Sequence, residues 1–169
     1  RCITRGLPAT MMPGFYNHNY QILQTPNYVV INAEMIHDTR IIPLDGRPHL
    51  PAHLRQWMGD SRGHWDGDTL VVETTNFTDK VYERRVSNTV FGAGKAMNFV
   101  ERFTRVDADT LDYRFTLTDP TTFAKPWTAV IPMNAMSAPI HEYACHEGNY
   151  SMENMLRGAR TKESQLSRP

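Results

Sequence analysis

The densest group of ionisable side chains in this sequence is Glu34, His37, Asp38 and Arg40. A carboxylate and an imidazole three residues apart could share a proton-transfer task if both reached one cavity, with His37 or Glu34 acting as the base. The same spacing is also typical of a turn rich in solvated charge. Acid–base chemistry of this kind needs no cofactor, and an isomerase, a lyase or a hydrolase would be the class of enzyme it implies.

A second pair of candidates, Arg102 and Tyr113, lies in a predicted hairpin over about residues 98–118. If the loop of this hairpin has an even number of residues, Arg102 faces Phe115 and Thr104 faces Tyr113 on an apolar inner surface. There the guanidinium and the phenol would stabilise negative charge that develops in a reaction. An odd loop or a bulge would reverse part of this assignment.

An inward position of Arg102 carries a cost, because a guanidinium keeps its charge and must be paired when it is buried. Arg102 therefore needs an anionic ligand or a carboxylate, and Glu142 and Glu34 are the nearest candidates. The alternative is that Arg102 lies at one end of a barrel beside a structural glutamate.

Further side chains are expected to line the same interior and to contact a ligand. They are Tyr20, Trp65, Asn76, Trp127 and Glu142. The alternative for the tryptophans is packing in the core or at the mouth of a barrel, since their large rings bury apolar area wherever they fit.

Metal and cofactor motifs are weak in this sequence. His49 and His53 have helical spacing, but Pro51 between them makes a helix there doubtful. Asp66-Gly67-Asp68 is not followed by the twelve-residue ligand pattern of a calcium loop. No Gly-x-Ser-x-Gly motif, phosphate loop or dinucleotide fingerprint occurs. The sequence therefore predicts neither a metal site nor a cofactor.

The elements that must position these residues are organised around one hairpin, residues 63–77. Asp66-Gly67 is a strong turn signal, and the residues after it alternate between apolar and polar as a half-buried strand requires. Nearly the same phrase returns at residues 106–111, from Val106 to Leu111. Two such copies indicate two hairpins of one antiparallel meander, and an even loop in the first one places Trp65 opposite Leu70.

Other strands are predicted on both sides of these hairpins, together with one short helix. The strands are residues 20–25, 28–35, 40–44, 126–133 and 140–146, the helix is residues 51–58, and a helical turn is predicted over residues 152–158. About eight or nine sequential strands predict an all-β, antiparallel up-and-down barrel of lipocalin type. A β-sandwich is the alternative.

The chain divides into an irregular N-terminal arm (1–19), a barrel domain (20–149) and a C-terminal tail (150–169). Its 18 basic and 18 acidic residues cancel, which argues against binding to nucleic acid. No apolar run approaches the roughly 18 residues of a membrane span.

The two cysteines, Cys2 and Cys145, stand near opposite ends of the chain. A bridge between them would close a loop of nearly the whole domain, worth up to about 5 kcal/mol in the chain-entropy model. It would imply an oxidising compartment. The alternative is two free, buried thiols.

Several phrases together resemble a family of uncharacterised bacterial exported proteins. They are residues 20–22, 34–38, 40–49, 56–61, 65–70, 101–103, 119–123, 126–127 and 142–149, and the likeness covers nearly all of residues 2–160. The resemblance implies a periplasmic or secreted protein, of which this chain would be the C-terminal part of a longer precursor. It implies no established activity, so no catalytic role is carried over from it.

Two functions follow from these observations. The first is an exported barrel that binds, and could transform, a small, mostly apolar or amphipathic molecule. The second is a non-catalytic accessory subunit of a larger exported or membrane-associated assembly, docked through its N-terminal arm or its C-terminal tail. A cavity of roughly 300 Å³ or more would favour the first.

Overall fold

The computed structural model describes residues 3–81 and 94–166 of the chain. The described residues form strands β1 Tyr20–Gln24, β2 Tyr28–Ala33, β3 Thr39–Pro43, β4 Asp60–Asp66, β5 Thr69–Thr75, β6 Asn98–Arg105, β7 Thr110–Thr118 and β8 Trp127–Asn134, helix α1 Ser151–Leu166, and 3-10 turns at Ala9–Met11, Met35–His37 and Asp79–Val81. The sequence also predicts a polar loop over residues 78–96, which falls mainly outside the described residues.

The strands form two antiparallel sheets in which neighbours follow chain order, β1-β2-β3 and β4-β5-β6-β7-β8. The predicted all-β, antiparallel class is therefore confirmed. The predicted closed barrel is not found, because β1 and β8 are both edge strands in this pairing. Two sheets of three and five strands are compatible with a sandwich-like arrangement.

The two sheets meet closely where β3 passes β4, and Gly63 makes this approach possible. A Cβ atom on Gly63 would lie 2.8 Å from Leu44 Cδ2 and 2.9 Å from Ile42 Cγ2, closer than real Cβ contacts. A residue without a side chain is therefore required at this seam.

The hairpin β4–β5 has the predicted register and turn. Trp65 pairs with Leu70, and Asp66 pairs with Thr69 across a two-residue loop. Gly67, the first loop residue, has a φ of +59°. Glycine adopts this conformation without the steric penalty of a side chain, which is why the tight turn forms here.

The predicted register of the hairpin β6–β7 is wrong by one residue. Arg105 pairs with Leu111 across an odd loop of five residues, so Phe103 faces Tyr113 and Arg102 faces Arg114. A shift of one residue turns a whole strand over. The inner surface of β6 accordingly carries Glu101, and Arg102 lies on the outer surface.

The predicted helix over residues 51–58 does not form. One turn closes from Leu54 N to Pro51 O, but Gln56 then donates its backbone N–H to Asn76 O and accepts one from Thr78. Pairing with the end of β5 thus replaces the helical bonds that residues 56–58 would need.

The C-terminal region also differs from the prediction. Residues 140–146 form no strand, and the helical turn predicted over residues 152–158 is part of the sixteen-residue helix α1. The polar C-terminal tail is thus helical as far as Leu166. No residue of α1 is buried. No helix in the described ranges is both long and apolar enough to cross a membrane.

The hydrophobic core lies between the inner surfaces of the two sheets. Its fully buried side chains include Phe99, Tyr113 and Phe115, and the N-terminal arm contributes Leu7 and Met11. The arm is thus irregular, as predicted, but packs into the core. Burial of these large side chains supplies the main stabilisation of such a fold.

The predicted disulfide cannot be located in the described residues, since Cys2 lies outside them. Cys145 is not a free thiol. The bridge between Cys2 and Cys145 therefore stays a prediction.

Candidate functional site

A cleft of about 540 Å³ lies between the edge strands β1 and β8. One wall is residues 19–22, which include the start of β1, and the opposite wall is residues 131–136, which include the end of β8. The N-terminal arm, the loop of hairpin β6–β7 and residues 138–140 complete the lining. The cleft therefore lies where a closed barrel would have paired β1 with β8.

The lining of the cleft is apolar at its base and mixed at its rim. Tyr20, Leu111, Ile131 and Met133 are partly buried and pack against the core. His18, Asn19, Arg105, Asp109 and Asn134 add polar groups. A cavity of this size, apolar with a few polar groups, is typical of small-molecule sites.

Glu34 links two segments at the cleft, one ending at Asn19 beside β1 and the other at His141, next to the lining residues 138–140. Its carboxylate accepts hydrogen bonds from Asn19 Nδ2 at 2.5 Å and from the backbone N–H of His141 at 2.9 Å. Glu34 is only 3% exposed. The hydrogen bond from His141, followed by those of the asparagine side chains, lowers the pKa of this carboxyl despite burial.

We expect Glu34→Gln to destabilise the protein by about 1 kcal/mol or more at pH 7, because charge-assisted hydrogen bonds are lost. A carboxyl with a depressed folded pKa stabilises above its unfolded pKa, and that stability is lost as the pH falls through the folded value. Urea unfolding at pH 7 and at pH 3 measures this. The gap between wild type and variant should shrink at pH 3, and a constant gap would contradict this role of the charge.

His18 and Tyr20 are the titratable side chains of the arm side of the cleft. His18 Nε2 lies 2.7 Å from Arg5 Nη1, and burial together with the charge of Arg5 lowers the pKa of His18. The neutral imidazole therefore accepts a hydrogen bond from the Arg5 guanidinium at Nε2. The Tyr20 hydroxyl donates to Thr10 O at 2.7 Å, and burial raises its pKa to about 12. The hydrogen bond of Tyr20 ties the arm to β1, whereas that of His18 lies within the arm.

The strongest polar network is buried in the core, away from the cleft. The Arg40 guanidinium makes a bidentate ion pair with Glu101, and Arg40 Nη2 also donates to Ser61 and Thr74. Tyr113 donates its hydroxyl to Glu101 Oε1 at 3.0 Å. Both members of the ion pair are at most 3% exposed, so this network has a structural role.

The electrostatics of this network follow from burial and from the charge of Glu101. Burial alone would lower the pKa of Arg40, but the facing carboxylate outweighs it and the pKa is raised. Burial, assisted by the charge of Glu101, also holds the pKa of Tyr113 well above its ordinary value. Tyr113 therefore stays protonated and serves as a hydrogen-bond donor.

Sequence reasoning missed the pair of Arg40 and Glu101, although a signal existed. Phe99, Glu101 and Phe103 alternate along β6, and this aromatic series marks the inner face more strongly than Val100, Arg102 and Thr104 do. A buried guanidinium does need a carboxylate, as predicted from the sequence, but the buried one belongs to Arg40 and not to Arg102.

The four predicted catalytic residues do not converge. Tyr113 is buried as predicted, while Arg102 lies on the outer face, 45% exposed, with its Nη2 2.7 Å from Asp66 Oδ2. His37 is exposed on a 3-10 turn whose φ is positive at Ile36 and at His37 itself. The predicted inward position of Arg102, with Glu142 or Glu34 as its partner, is therefore wrong.

The predicted ligand-binding residues are also dispersed. Tyr20 lines the cleft, whereas Glu142 is exposed elsewhere. Asn76 braces a loop by donating to Leu50 O, Pro51 O and Leu54 O. These three hydrogen bonds account for the position of Asn76 without a ligand.

The two predicted tryptophans have different surroundings. Trp127 packs edge-on against Phe115 and Phe123, with ring centroids 5.3 and 5.8 Å apart. Trp65 is 46% exposed and borders a second, more open groove of about 670 Å³ beside Gln24 and Asp68. Trp127 thus packs against the core, and Trp65 lies at the protein surface.

Within residues 3–81 and 94–166, no three histidine, cysteine or acidic side chains converge on a common point as ligands of a metal ion would. Comparisons with protein-family models, with curated proteins and with solved structures find no match for the chain.

Proposed function

We propose that this chain is an exported domain that binds a small, mostly apolar or amphipathic molecule in the cleft between β1 and β8. The observation that carries the proposal is the cleft itself. Its volume of about 540 Å³ lies within the range of about 300–1,000 Å³ that is usual for small-molecule sites. Its base is apolar, and the polar groups at its rim would orient an amphipathic ligand.

The fold supports the same proposal. We regard the two sheets as an up-and-down barrel of lipocalin type that is packed at the β3–β4 seam and open between β1 and β8. Lipocalin-type barrels hold single small ligands. A periplasmic or secreted location follows from the resemblance to exported proteins and from the proposed disulfide.

Anilinonaphthalene sulfonate, a fluorescent apolar anion, is a suitable probe of the cleft. Ala138 lines the cleft and is exposed, and Ala138→Trp would fill it. We expect the probe to bind the wild-type chain and to lose about tenfold or more in affinity for this variant, since the volume it needs is occupied. Fluorescence titration measures both affinities.

The matched control is Ala124→Trp, since Ala124 is also exposed but does not line the cleft. This variant should bind the probe like the wild type. Equal affinity of all three proteins would place the probe elsewhere and would contradict the proposal.

A second candidate function, that of an accessory subunit, is favoured by helix α1. Met152, Met155 and Leu156 form an exposed apolar stripe at helical spacing on α1, none of whose residues is buried. If the helix is a docking element, its deletion should leave the stability of the sheets unchanged and abolish capture of a partner protein.

A further inference from the structure

The backbone of β1 is unpaired along the cleft. Thr25 N donates to Tyr28 O and Glu34 N donates to Asn19 O, which fixes the hydrogen-bonded pairs of β1 with β2 at odd-numbered residues of β1. In an antiparallel ladder, the N–H and C=O groups of the alternate residues point the other way. The groups of Tyr20, Ile22 and Gln24 therefore point to the open edge.

These outward groups have no hydrogen-bond partner within residues 3–81 and 94–166. Tyr20 and Ile22 line the cleft, so their unpaired amides face the space that a ligand would fill. An open edge of this kind is a template for an added strand.

The opposite wall is different, because proline interrupts the edge of β8. Ala135 N donates to Asp109 O, which places Val130, Pro132 and Asn134 at outward-facing positions of β8. Pro132 has no N–H to donate. β8 therefore lacks one of the donors that an added strand would use, whereas β1 offers all of its outward N–H groups.

From this geometry we infer that the ligand of the cleft is a short apolar peptide in extended conformation, which adds to β1 as a fourth strand of its sheet. The inference rests on the proposed function. The peptide would pair with the N–H and C=O groups of Tyr20 and Ile22. Its alternate side chains would point to Leu111, Ile131 and Met133 at the base, so apolar residues are required at every second position.

The substitution Ile22→Pro tests this pairing. It removes an outward N–H of β1 but no hydrogen bond of the β1–β2 ladder, and prolines are tolerated on edge strands. The probe is a blocked pentapeptide of alternating valine and serine. We expect its affinity, measured by calorimetry, to fall about tenfold, because one hydrogen bond is lost and a carbonyl of the peptide is left unpaired.

Two controls separate pairing from packing. Ile22→Ala removes the side chain but keeps the N–H, so it measures the loss that comes from packing alone, and Ile22→Pro should weaken binding by at least about threefold more than Ile22→Ala does. A peptide with its backbone nitrogens methylated cannot donate to β1, so it should lose affinity for the wild-type chain. This second measurement applies even if Ile22→Pro does not fold.

The results distinguish this inference from the proposed function. If anilinonaphthalene sulfonate binds in the cleft but the pentapeptide does not, the peptide is the wrong ligand class and the cleft remains a binding site. If the peptide binds wild type and Ile22→Pro equally well, the pairing with β1 is overturned. The same holds if the methylated peptide binds wild type as tightly as the unmethylated one. If neither probe binds, both proposals fail.

Discussion

Glu101→Leu should destabilise the protein by about 3–5 kcal/mol, because it leaves the Arg40 guanidinium buried without a counter-charge. Both side chains of the ion pair are at most 3% exposed, so water cannot replace the lost carboxylate without opening the core. The Tyr113 hydroxyl loses its acceptor in the same variant. Urea unfolding at neutral pH, followed by far-UV circular dichroism, measures the free energy of unfolding.

The matched control is the double variant Arg40→Met with Glu101→Leu. Replacing a buried ion pair with apolar side chains of similar volume is often close to neutral. We therefore expect the double variant to recover most of the loss. The single variants Arg40→Met and Glu101→Leu complete the comparison. If the cost of the double variant equals the sum of the two single costs, Arg40 and Glu101 are not coupled.

Gly59→Ala should cost about 2–4 kcal/mol, the sum of backbone strain and a steric clash. Gly59 has a φ of +71°, and a Cβ atom there would lie 2.7 Å from Thr75 O and 2.7 Å from Phe77 Cε1. Phe77 is fully buried and cannot move aside without disturbing the core. The change should appear as a lower midpoint of urea unfolding.

Gly67→Ala separates the two contributions. Gly67 has a φ of +59°, similar to that of Gly59, but nothing lies within 4 Å of a Cβ atom there. This variant should therefore cost only about 1 kcal/mol, the penalty of the left-handed conformation, and Gly67→Val somewhat more. If both alanine variants cost the same, the clash at Gly59 is absent.

The two hairpins show why the sequence predicts the register of β4–β5 correctly and that of β6–β7 incorrectly. Gly67 permits the two-residue turn of β4–β5, and the predicted pairing of Trp65 with Leu70 is confirmed. The similar phrase at residues 106–111 has Ala108 in the corresponding place. An alanine resists positive φ, so the chain uses a loop of five residues, and the strand turns over.

The cleft could be predicted only in part. Alternation identified Tyr20 on β1, and the turn signals identified most of the strands. The position of Arg40 opposite Glu101 depends on how two sheets pack across 61 residues of sequence, which no local pattern records. The role of Glu34 likewise depends on the backbone of His141, which is 107 residues away.

The exposed helix α1 illustrates a different limit. Its sequence has the spacing of an amphipathic helix, yet the prediction covered only its first two turns because the following residues are polar. An ion pair between Arg157 and Glu153, one turn apart, supports the exposed helix locally.

The central claim is that the cleft between β1 and β8 is the binding site. Titration of the ¹⁵N-labelled chain with anilinonaphthalene sulfonate, followed by amide chemical shifts, tests it most directly. We expect the largest shifts at residues 19–22 and 131–136, on both walls of the cleft. Shifts confined to α1 or to the groove beside Trp65, or no shifts at all, would contradict the account.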